Sequence, residues 1–328
     1  MSRPLAGIVV VTYNSAREIE ACVEALLAQE GVETRVVLVD NASADDGAGR
    51  VRRRFPAVDV VVNGDNVGFA RAVNQGIERP GARVDLVVLA NPDTVAAPGV
   101  LAACAAYLAA HPDVGVVGPR LVNPDGSLHP SCHGFMTPLN LLGEALSLDR
   151  VWPGSPFDTL HLRRFAHDRE APVDWIQGAF LAVRPEAIAK AGVLDPAFFM
   201  YAEEMDWMLR LRRHGYRTVF LPGPPVMHVG GASSRPLAGP MFVELQKSRV
   251  RFLEKHHGPL TVLAARSAIA LGIVVHLVAW ELAGPWLGAR SPEVRDHVRL
   301  RRAMFRSAAA WLLRGAPLDP PRLAGATT

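Results

Sequence analysis

Short β-branched runs alternate with helical stretches from residue 7 to residue 110, and this alternation limits the fold more than any other feature of the chain. Residues 7–12 (GIVVVT) form an apolar run of strand length, and residues 35–39, 58–62 and 84–89 repeat it. Residues 16–29, 44–55, 68–77 and 98–110 lie between or after them with helical character; in the first, Ile19, Val23, Leu26 and Leu27 share one face. The expected product is an α/β domain with a doubly wound, mostly parallel, Rossmann-like sheet. Ligands bind such sheets beyond the carboxyl ends of the strands. Thr12, Asp40 and Asp93 all fall at such ends.

The pattern changes near residue 114. Residues 114–117 and 120–122, with the turn Asn123-Pro124-Asp125-Gly126, predict a strand and hairpin. Residues 134–172, broken by Pro and Gly, read as loop or lid. Residues 173–183 predict a strand, 186–191 a short helix, 203–214 a longer helix, and 218–221 a last strand before Pro222. From about residue 236 the chain is helical and different in character. The expected division is a catalytic domain over 1–235 and a basic helical extension over 236–328. Within the first, residues 1–120 form the nucleotide half and 121–235 the acceptor half.

A chain of 328 residues is long enough for one large domain with an appendage. A net charge of +3 gives no reason to expect nucleic acid. The basic excess is local: residues 290–328 hold eight Arg against three acids. Cys22, Cys104 and Cys132 are far apart and form no CxxC, so neither a disulfide framework nor a structural zinc site is indicated. Residues 7–12 enter a strand with no basic-then-apolar leader before them, and a cytoplasmic location is expected.

A dinucleotide fingerprint would follow the first strand, but Thr12-Tyr13-Asn14-Ser15 stands there. Gly47-Ala48-Gly49 lacks a third glycine, and there is no P-loop. A nucleotide must be held in another way. Asp40-Asn41-Ala42-Ser43 closes the second strand; Asp40 can accept from a base N–H, while Asn41 and Ser43 fix the ribose or the loop. The other reading is a helix N-cap from Ser43 or Asp45. Asn66-Val67-Gly68-Phe69-Ala70 precedes a helix that carries Asn74, and Gly68 permits close backbone approach to a ligand.

Asn91-Pro92-Asp93 offers one carboxylate to Mg²⁺ or Mn²⁺, which take one or two carboxylates together with phosphates; the other reading is a Pro-Asp turn. His228, ahead of Gly230-Gly231, is the candidate second ligand or a structural histidine. Residues 200–207 (MYAEEMDW) crowd Glu203, Glu204 and Asp206 beside Phe198, Phe199 and Tyr201. Such charge is costly to bury without partners, although acids also suit the first turn of an exposed helix.

These motifs, with Trp175-Ile176-Gln177-Gly178-Ala179, come in one order over roughly residues 5–235. In that order the chain resembles glycosyltransferase family 2, with a GT-A fold, and within it bacterial rhamnosyltransferases that use dTDP-L-rhamnose. The resemblance implies that Thr12, Tyr13 and Asn14 line the nucleotide, with Asp40 at its base. Asn41, Ser43, Asn66, Gly68 and Asn91 complete the donor site. It places Asp93 on a metal that bridges the diphosphate, and Trp175, Gly178 and Ala179 at the acceptor. The family's base is the second acid of a Glu-Asp pair, which falls on Glu204; Glu203 and Asp206 are the fallbacks. Asn91 stands where the metal motif often has a first Asp. The implied reaction inverts the anomeric carbon and moves L-rhamnose from a dTDP- or UDP-sugar to a glycan or polyprenyl-linked sugar.

Two alternatives stay open. A processive polysaccharide synthase would carry Gln-x-x-Arg-Trp, whereas Gln246-Lys247-Ser248-Arg249 is followed by Val250. An inactive sugar-nucleotide-binding or scaffold protein is kept open by the departures at Asn91 and Glu204. In the tail, residues 267–280 are free of formal charge but shorter than the ~20 residues of a membrane span. Residues 302–313 set Met304, Phe305, Trp311, Leu312 and Leu313 among arginines, as in helices that lie in a membrane interface. Peripheral contact with the inner face of the plasma membrane is expected, against a helical cap or a homodimer contact.

Overall fold

The computed structural model describes residues 3–79, 84–230, 238–288 and 291–314. Gly231 and Ser233 of the His228 motif and residues 315–328 of the tail lie outside the described residues. The alternating half has β1 (Leu5–Thr12), α1 (Ile19–Leu27), β2 (Glu33–Asp40), α2 (Gly47–Arg54) and β3 (Asp59–Val62). α3 (Phe69–Ile77), β4 (Leu86–Ala90), a short β5 (Thr94–Ala96) and α4 (Val100–Ala110) follow. β1 pairs in parallel with β2 and β4, and β2 with β3. Side chains alternate across the pleat. Ile8 and Val10 join the core under α1, α2 and α4, while Val9 and Val11 join the core under α3.

The second half contains β6 (Val114–Val122), β7 (Leu128–His129), β8 (Cys132–His133), α5 (Pro138–Ala145) and α6 (Leu148–Val151). After it come β9 (Ala171–Val173), β10 (Trp175–Ile176), β11 (Phe180–Val183), α7 (Pro185–Ala191), α8 (Glu203–Arg213) and β12 (Arg217–His228). Among the described residues the main sheet runs β3-β2-β1-β4-β11-β6-β12-β5, with β7 on β6 and β9 on β12. β11 is antiparallel to both β4 and β6, and β6 is parallel to β12. The mostly parallel sheet is thus reversed at its centre, which brings the start of β11 beside the end of β4.

Residues 134–172 are not an irregular lid. α5 begins with a reciprocal capping box: Thr137 Oγ1 accepts from Asn140 N–H and Asn140 Oδ1 from Thr137 N–H, with Pro138 in the first turn. Residues 173–183 are not one strand, because the chain changes partner twice. Val173 pairs with β12, Trp175 and Ile176 with β8, and Phe180 onward with β4 and β6. The strand expected to stop before Pro222 continues to His228. Its register against β6 shifts between Leu221 and Val226, which accommodates prolines that cannot donate. It then pairs antiparallel with β5, setting His228 opposite Thr94.

The C-terminal helices are α9 (Ala238–His256), α10 (Pro259–Gly288) and α11 (Pro292–Arg314). The apolar stretch 267–280 is the middle of the 30-residue α10, because Arg266 and Glu281 do not interrupt the helix. With a mean hydropathy of 2.1 over its most apolar window, α10 is long and apolar enough to cross a membrane. A third core joins the second half to the C-terminal helices: Phe198, Ala202 and Met205 pack with Phe252 and Leu253 of α9, Ile269 of α10 and Leu141 of α5.

Candidate active site

The ends of β1 and β2 are laced together. Asn14 and Ala42 sit at φ 53° and 63°, a left-handed conformation that non-glycine residues seldom adopt. The resulting loops meet: Asn14 N–H donates to Ser43 Oγ (2.9 Å), and Ala44 N–H to Asn14 Oδ1 (2.8 Å). The Ser43 hydroxyl and N–H both donate to Asp40 Oδ1. Ser43 is therefore not the cap of α2, which begins at Asp46 without a side-chain cap. Burial raises the Asp40 pKa, and the bonds from Ser43 oppose the rise. Thr12, opposite Asp40 in the sheet register, keeps a buried Oγ1 with no protein partner. Tyr13 is half-buried beside it.

Three of the expected donor contacts have another task. Asn41 Nδ2 donates to Asn66 Oδ1 (2.7 Å), and Asn41 Oδ1 accepts from Val67 N–H and Asn63 Nδ2. Asn66 Oδ1 also accepts from Gly68 N–H (3.0 Å). These amides hold the loop after β3 rather than a ribose. Gly68, at φ 88°, does permit a close approach, but to protein: a Cβ there would lie 2.7 Å from Phe199 O. Phe69 N–H donates to that same carbonyl (2.7 Å). Asn74 bonds Leu194 through both amide atoms. α3 thus positions the loop that leads into α8.

The end of β4 gathers a second group. His228 Nε2 lies 3.3 Å from Asp93 Oδ1, and Gly230 N–H donates to Asp93 Oδ2 (3.1 Å). Both side chains are buried, and His228 Nδ1 has no partner. His129, which the sequence reading passed over, stacks at a tilt on His228 with centroids 4.9 Å apart. Its Nδ1 is 3.0 Å from Asn123 Oδ1 and its Nε2 3.3 Å from Gln177 Oε1. Burial, then the neighbouring His228, lowers the His129 pKa. Its only advance signal was its place just after the Asn123 turn. Among the described residues no group of three or more His, Cys, Asp and Glu side chains is placed to hold a metal ion by itself. Asp93 and His228 do fit a divalent ion that draws its remaining ligands from phosphate and water, since they bring one carboxylate oxygen and one ring nitrogen together.

Asn91 N–H donates to Ala179 O (2.8 Å), and the next residue back, Gly178, donates its N–H to Glu204 Oε1 (3.4 Å). One antiparallel crossing between β4 and β11 thereby links the Asp93 loop to the Glu204 carboxylate. α8 starts after Tyr201 and Ala202, at φ 69° and 63°. Such strain costs on the order of 1–3 kcal/mol per residue and clusters at functional sites. Ser248 Oγ of α9 braces it by donating to Met200 O (2.7 Å).

The three acids separate by environment. Burial raises both Glu203 and Glu204, and the Glu204 charge pushes Glu203 well above its ordinary range. Backbone N–H groups, that of Gly178 among them, and then the neighbouring Glu203 oppose the rise at Glu204, so Glu203 is the more strongly raised of the two. Glu204 Oε2 keeps no partner. Asp206 is no fallback base. Its buried carboxylate meets Arg210 (2.8 Å), Lys255 (2.7 Å) and His256 (2.7 Å). Burial alone would raise its pKa, but those three partners bring it down to about 2. Trp175, expected at the acceptor, donates its indole N–H to Gly134 O (2.8 Å) and stacks on His133 at 4.4 Å. Gly178 leaves room: a Cβ there would stand 3.6 Å from Glu204 Oε1.

Residues 4–250 match the model of the family described as glycosyltransferase like family 2. The chain is 30% identical over 259 residues to the N-acetylglucosaminyl-diphospho-decaprenol L-rhamnosyltransferase of Mycobacterium tuberculosis, covering 76% of this chain and 84% of that one. Over 104 residues it is 29% identical to the rhamnosyltransferase WbbL of Escherichia coli, which covers 32% of this chain and 38% of that one. Among solved structures, a mannosyltransferase from Pyrobaculum calidifontis, in complex with GDP-Man and Mn²⁺, superposes with a TM-score of 0.56 at 19% identity. That match covers 96% of this chain and 89% of the other. GalNAc-T7 with UDP, GalNAc and Mn²⁺ has the same TM-score at 15% identity, covering 76% of this chain and 48% of that one. Both likenesses concern the fold.

Proposed function

We propose that this chain, which belongs to glycosyltransferase family 2, moves L-rhamnose from a dTDP- or UDP-sugar to a hydroxyl of a polyprenyl-diphosphate-linked sugar, with inversion. The observation that carries the reading is the link from the Asp93 loop through Ala179 and Gly178 to Glu204. It brings Asp93, the carboxylate we assign to the metal, and Glu204, the acid we assign as the base, to one end of one sheet, where in this reading a donor diphosphate and an acceptor hydroxyl meet. The sugar and the lipid-linked acceptor follow the name of the mycobacterial relative.

In this reading Asp40, Thr12, Tyr13, Asn14 and Ser43 hold the nucleoside. Asp93 and His228 hold Mg²⁺ or Mn²⁺, with Asn91 on the same loop. When bound, the ion supplies charge stabilisation to the departing diphosphate. The acceptor oxygen attacks the anomeric carbon from the face opposite the diphosphate. Its proton passes to Glu204 Oε2, and the anomeric carbon–oxygen bond breaks with its electrons leaving on the diphosphate. Glu203, pushed up further by burial and by the Glu204 charge, stands beside Glu204, and Gly178 N–H holds Glu204 Oε1. Trp175, Gly178 and Ala179 border the acceptor.

The transfer machinery occupies residues 1–235, with α9 as an added wall, and α10 and α11 form the extension. That extension sets the enzyme on the cytoplasmic face of a membrane. Leu260, Leu263, Leu271, Val274, Val278 and Leu282 repeat at helical spacing along the outer face of α10, and all are exposed. A lipid surface is the occupant we assign, because α11 brings arginines alongside. Arg302 and Arg306 pair with Glu281 of α10, so inserting α10 across a bilayer would carry them into hydrocarbon, which is costly.

The deciding experiment is hydrolysis of, and binding to, dTDP-L-rhamnose, the UDP-sugars and GDP-mannose by the purified chain with Mn²⁺ or Mg²⁺. The reading expects dTDP or UDP to bind more tightly than GDP or ADP. The reverse order would overturn the donor assignment.

A further inference from the structure

A cavity of about 350 Å³ lies outside the donor site, between α5 and α6 on one side and α9, α10 and α11 on the other. Its lining is mixed. Phe242, Ile269, Ile273, Trp280 and Phe305 supply apolar surface. The charged residues come from both sides, and the acids among them are already paired. Arg249 Nη1 lies 3.0 Å from Glu144, and Arg163 Nε donates to Asp149 (3.0 Å). Two cations are left over. Arg150 and Arg301 line the same cavity, with the Arg150 charge near enough to bear on Arg301, and neither makes an ion pair with a described carboxylate. Two neighbouring guanidinium groups not committed to a described carboxylate suit an anion, since Arg matches phosphate oxygens in forked geometry.

The surroundings favour an amphiphile over a free anion. Val151 and Trp152, next to Arg150, are 81% and 60% exposed, an apolar rim beside the charged mouth. The volume is at the small end for ligand sites, roughly 300–1,000 Å³. It suits a diphosphate and the first isoprenoid carbons, with the rest of the chain leaving over the rim. The cavity is also joined to the acceptor side. His161 on its wall meets His133 edge-on at 6.2 Å, and His133 stacks on Trp175 at 4.4 Å. Two rings separate the cavity from the residue that borders the acceptor sugar.

We propose that this cavity is the seat of the acceptor's lipid diphosphate, with Arg150 and Arg301 on the phosphates and the apolar lining under the first carbons of the lipid. The proposal rests on the lipid-linked acceptor of the reading above and adds the place where that acceptor is gripped. α10 then serves two faces. Ile269 and Ile273 look into the cavity, and the exposed Leu271, Val274 and Val278 lie on the opposite side of the helix. The grip is about one helix diameter, roughly 10 Å, from the proposed lipid surface.

The test titrates the full chain in detergent with farnesyl diphosphate, farnesol and inorganic pyrophosphate, reading tryptophan fluorescence. Farnesyl diphosphate should bind at least about tenfold more tightly than either fragment. The fluorescence change should disappear in Trp280→Phe, and Arg150→Gln and Arg301→Gln should each weaken binding about tenfold or more. Arg150 is exposed, so its variant folds, and Arg301→Lys should restore part of the affinity. Unchanged affinity in both Gln variants would overturn the proposal. Equal binding of pyrophosphate would make it a free-anion site, and displacement by dTDP or UDP would place the lipid in the donor site; either result also overturns it. Donor hydrolysis without acceptor is measured in parallel. Hydrolysis with no farnesyl diphosphate binding sinks this inference alone, whereas binding without hydrolysis of any donor sinks the transferase reading.

Discussion

His256 Nε2 stands 2.7 Å from Asp206 Oδ1, and this contact ties the first C-terminal helix to the helix that carries Glu203 and Glu204. Lys255 adds a bond to the same oxygen and another to Asp195. A chain ending at residue 235 would leave Asp206 buried with Arg210 alone and would expose Phe198 and Met205. Breaking a buried ion pair costs about 3–5 kcal/mol. The truncated chain should aggregate or melt far below the full chain, whereas one ending after His257 keeps both partners and should melt closer to it. Differential scanning of the two decides. Cooperative melting of the shorter chain at the full-length temperature would show that α9 is dispensable.

Glu204→Gln should lower transfer by at least about 10²-fold while nucleotide-sugar affinity holds. Glu203→Gln keeps a neutral donor beside Glu204 and should cost less than about tenfold. The rate should fall as pH drops through the Glu204 pKa, which burial has raised above its ordinary value. Single-turnover rates across pH for both variants test the assignment. If Glu203→Gln is dead and Glu204→Gln active, the roles are exchanged.

Asp93→Asn should weaken binding of dTDP or UDP in the presence of Mn²⁺ and leave thymidine or uridine binding nearly unchanged. His228→Ala should do the same to a smaller degree, because Asp93 carries the charge. Calorimetry with and without metal separates the terms. Full transfer in excess chelator would remove Asp93 and His228 from that role.

The half of the fold before residue 114 was legible because β1, β4 and the end of β2 are buried on both faces while α1 and α3 bury one, so periodicity and burial agree. The later half misled where tertiary partners override local pattern. Residues 173–183 look like one strand, yet three different neighbours claim its parts. The cap at Thr137 and Asn140 was readable as Thr-Pro-Leu-Asn, but the prolines and glycines around it drew the eye to loop. Asp93, Glu204 and His228 were placed by motif. Their union, and His129 beside them, depends on strand pairings that no local spacing announces. Asn41 and Asn66 show the converse, polar residues near a ligand site that serve the loop.

Glu244 on α9 has both carboxylate oxygens buried without a hydrogen-bond partner, Lys247 Nζ standing 4.0 Å from Oε2, and burial raises its pKa from 4.5 to about 7, with Lys247 and Arg251 opposing the rise. The folded chain therefore keeps a proton that the unfolded chain releases between those values. The contribution of this group to stability is therefore greatest below pH 4.5, falls up to about pH 7 and stays low above it. Glu244→Gln removes the titration. It should raise the melting temperature at pH 8.5 and leave it nearly unchanged at pH 4.5, the difference approaching about 3 kcal/mol. Parallel melting curves at the two pH values would contradict this.

The exposed apolar stripe on α10 predicts binding to anionic liposomes by the full chain, weakening with salt as the arginine contribution is screened. The stripe from Leu260 to Leu282 is long enough to matter, because each fully buried Leu or Val is worth about 1.5–3 kcal/mol. Partial insertion realises only part of this. Leu271→Ser together with Val278→Ser should cut co-sedimentation at least about tenfold, since both side chains point away from the protein core and their loss leaves the fold intact. Donor hydrolysis in solution should be unaffected by the pair. If neither protein sediments with liposomes and the full chain elutes as a dimer that the double substitution converts to a monomer, the stripe is a contact between copies of this chain instead.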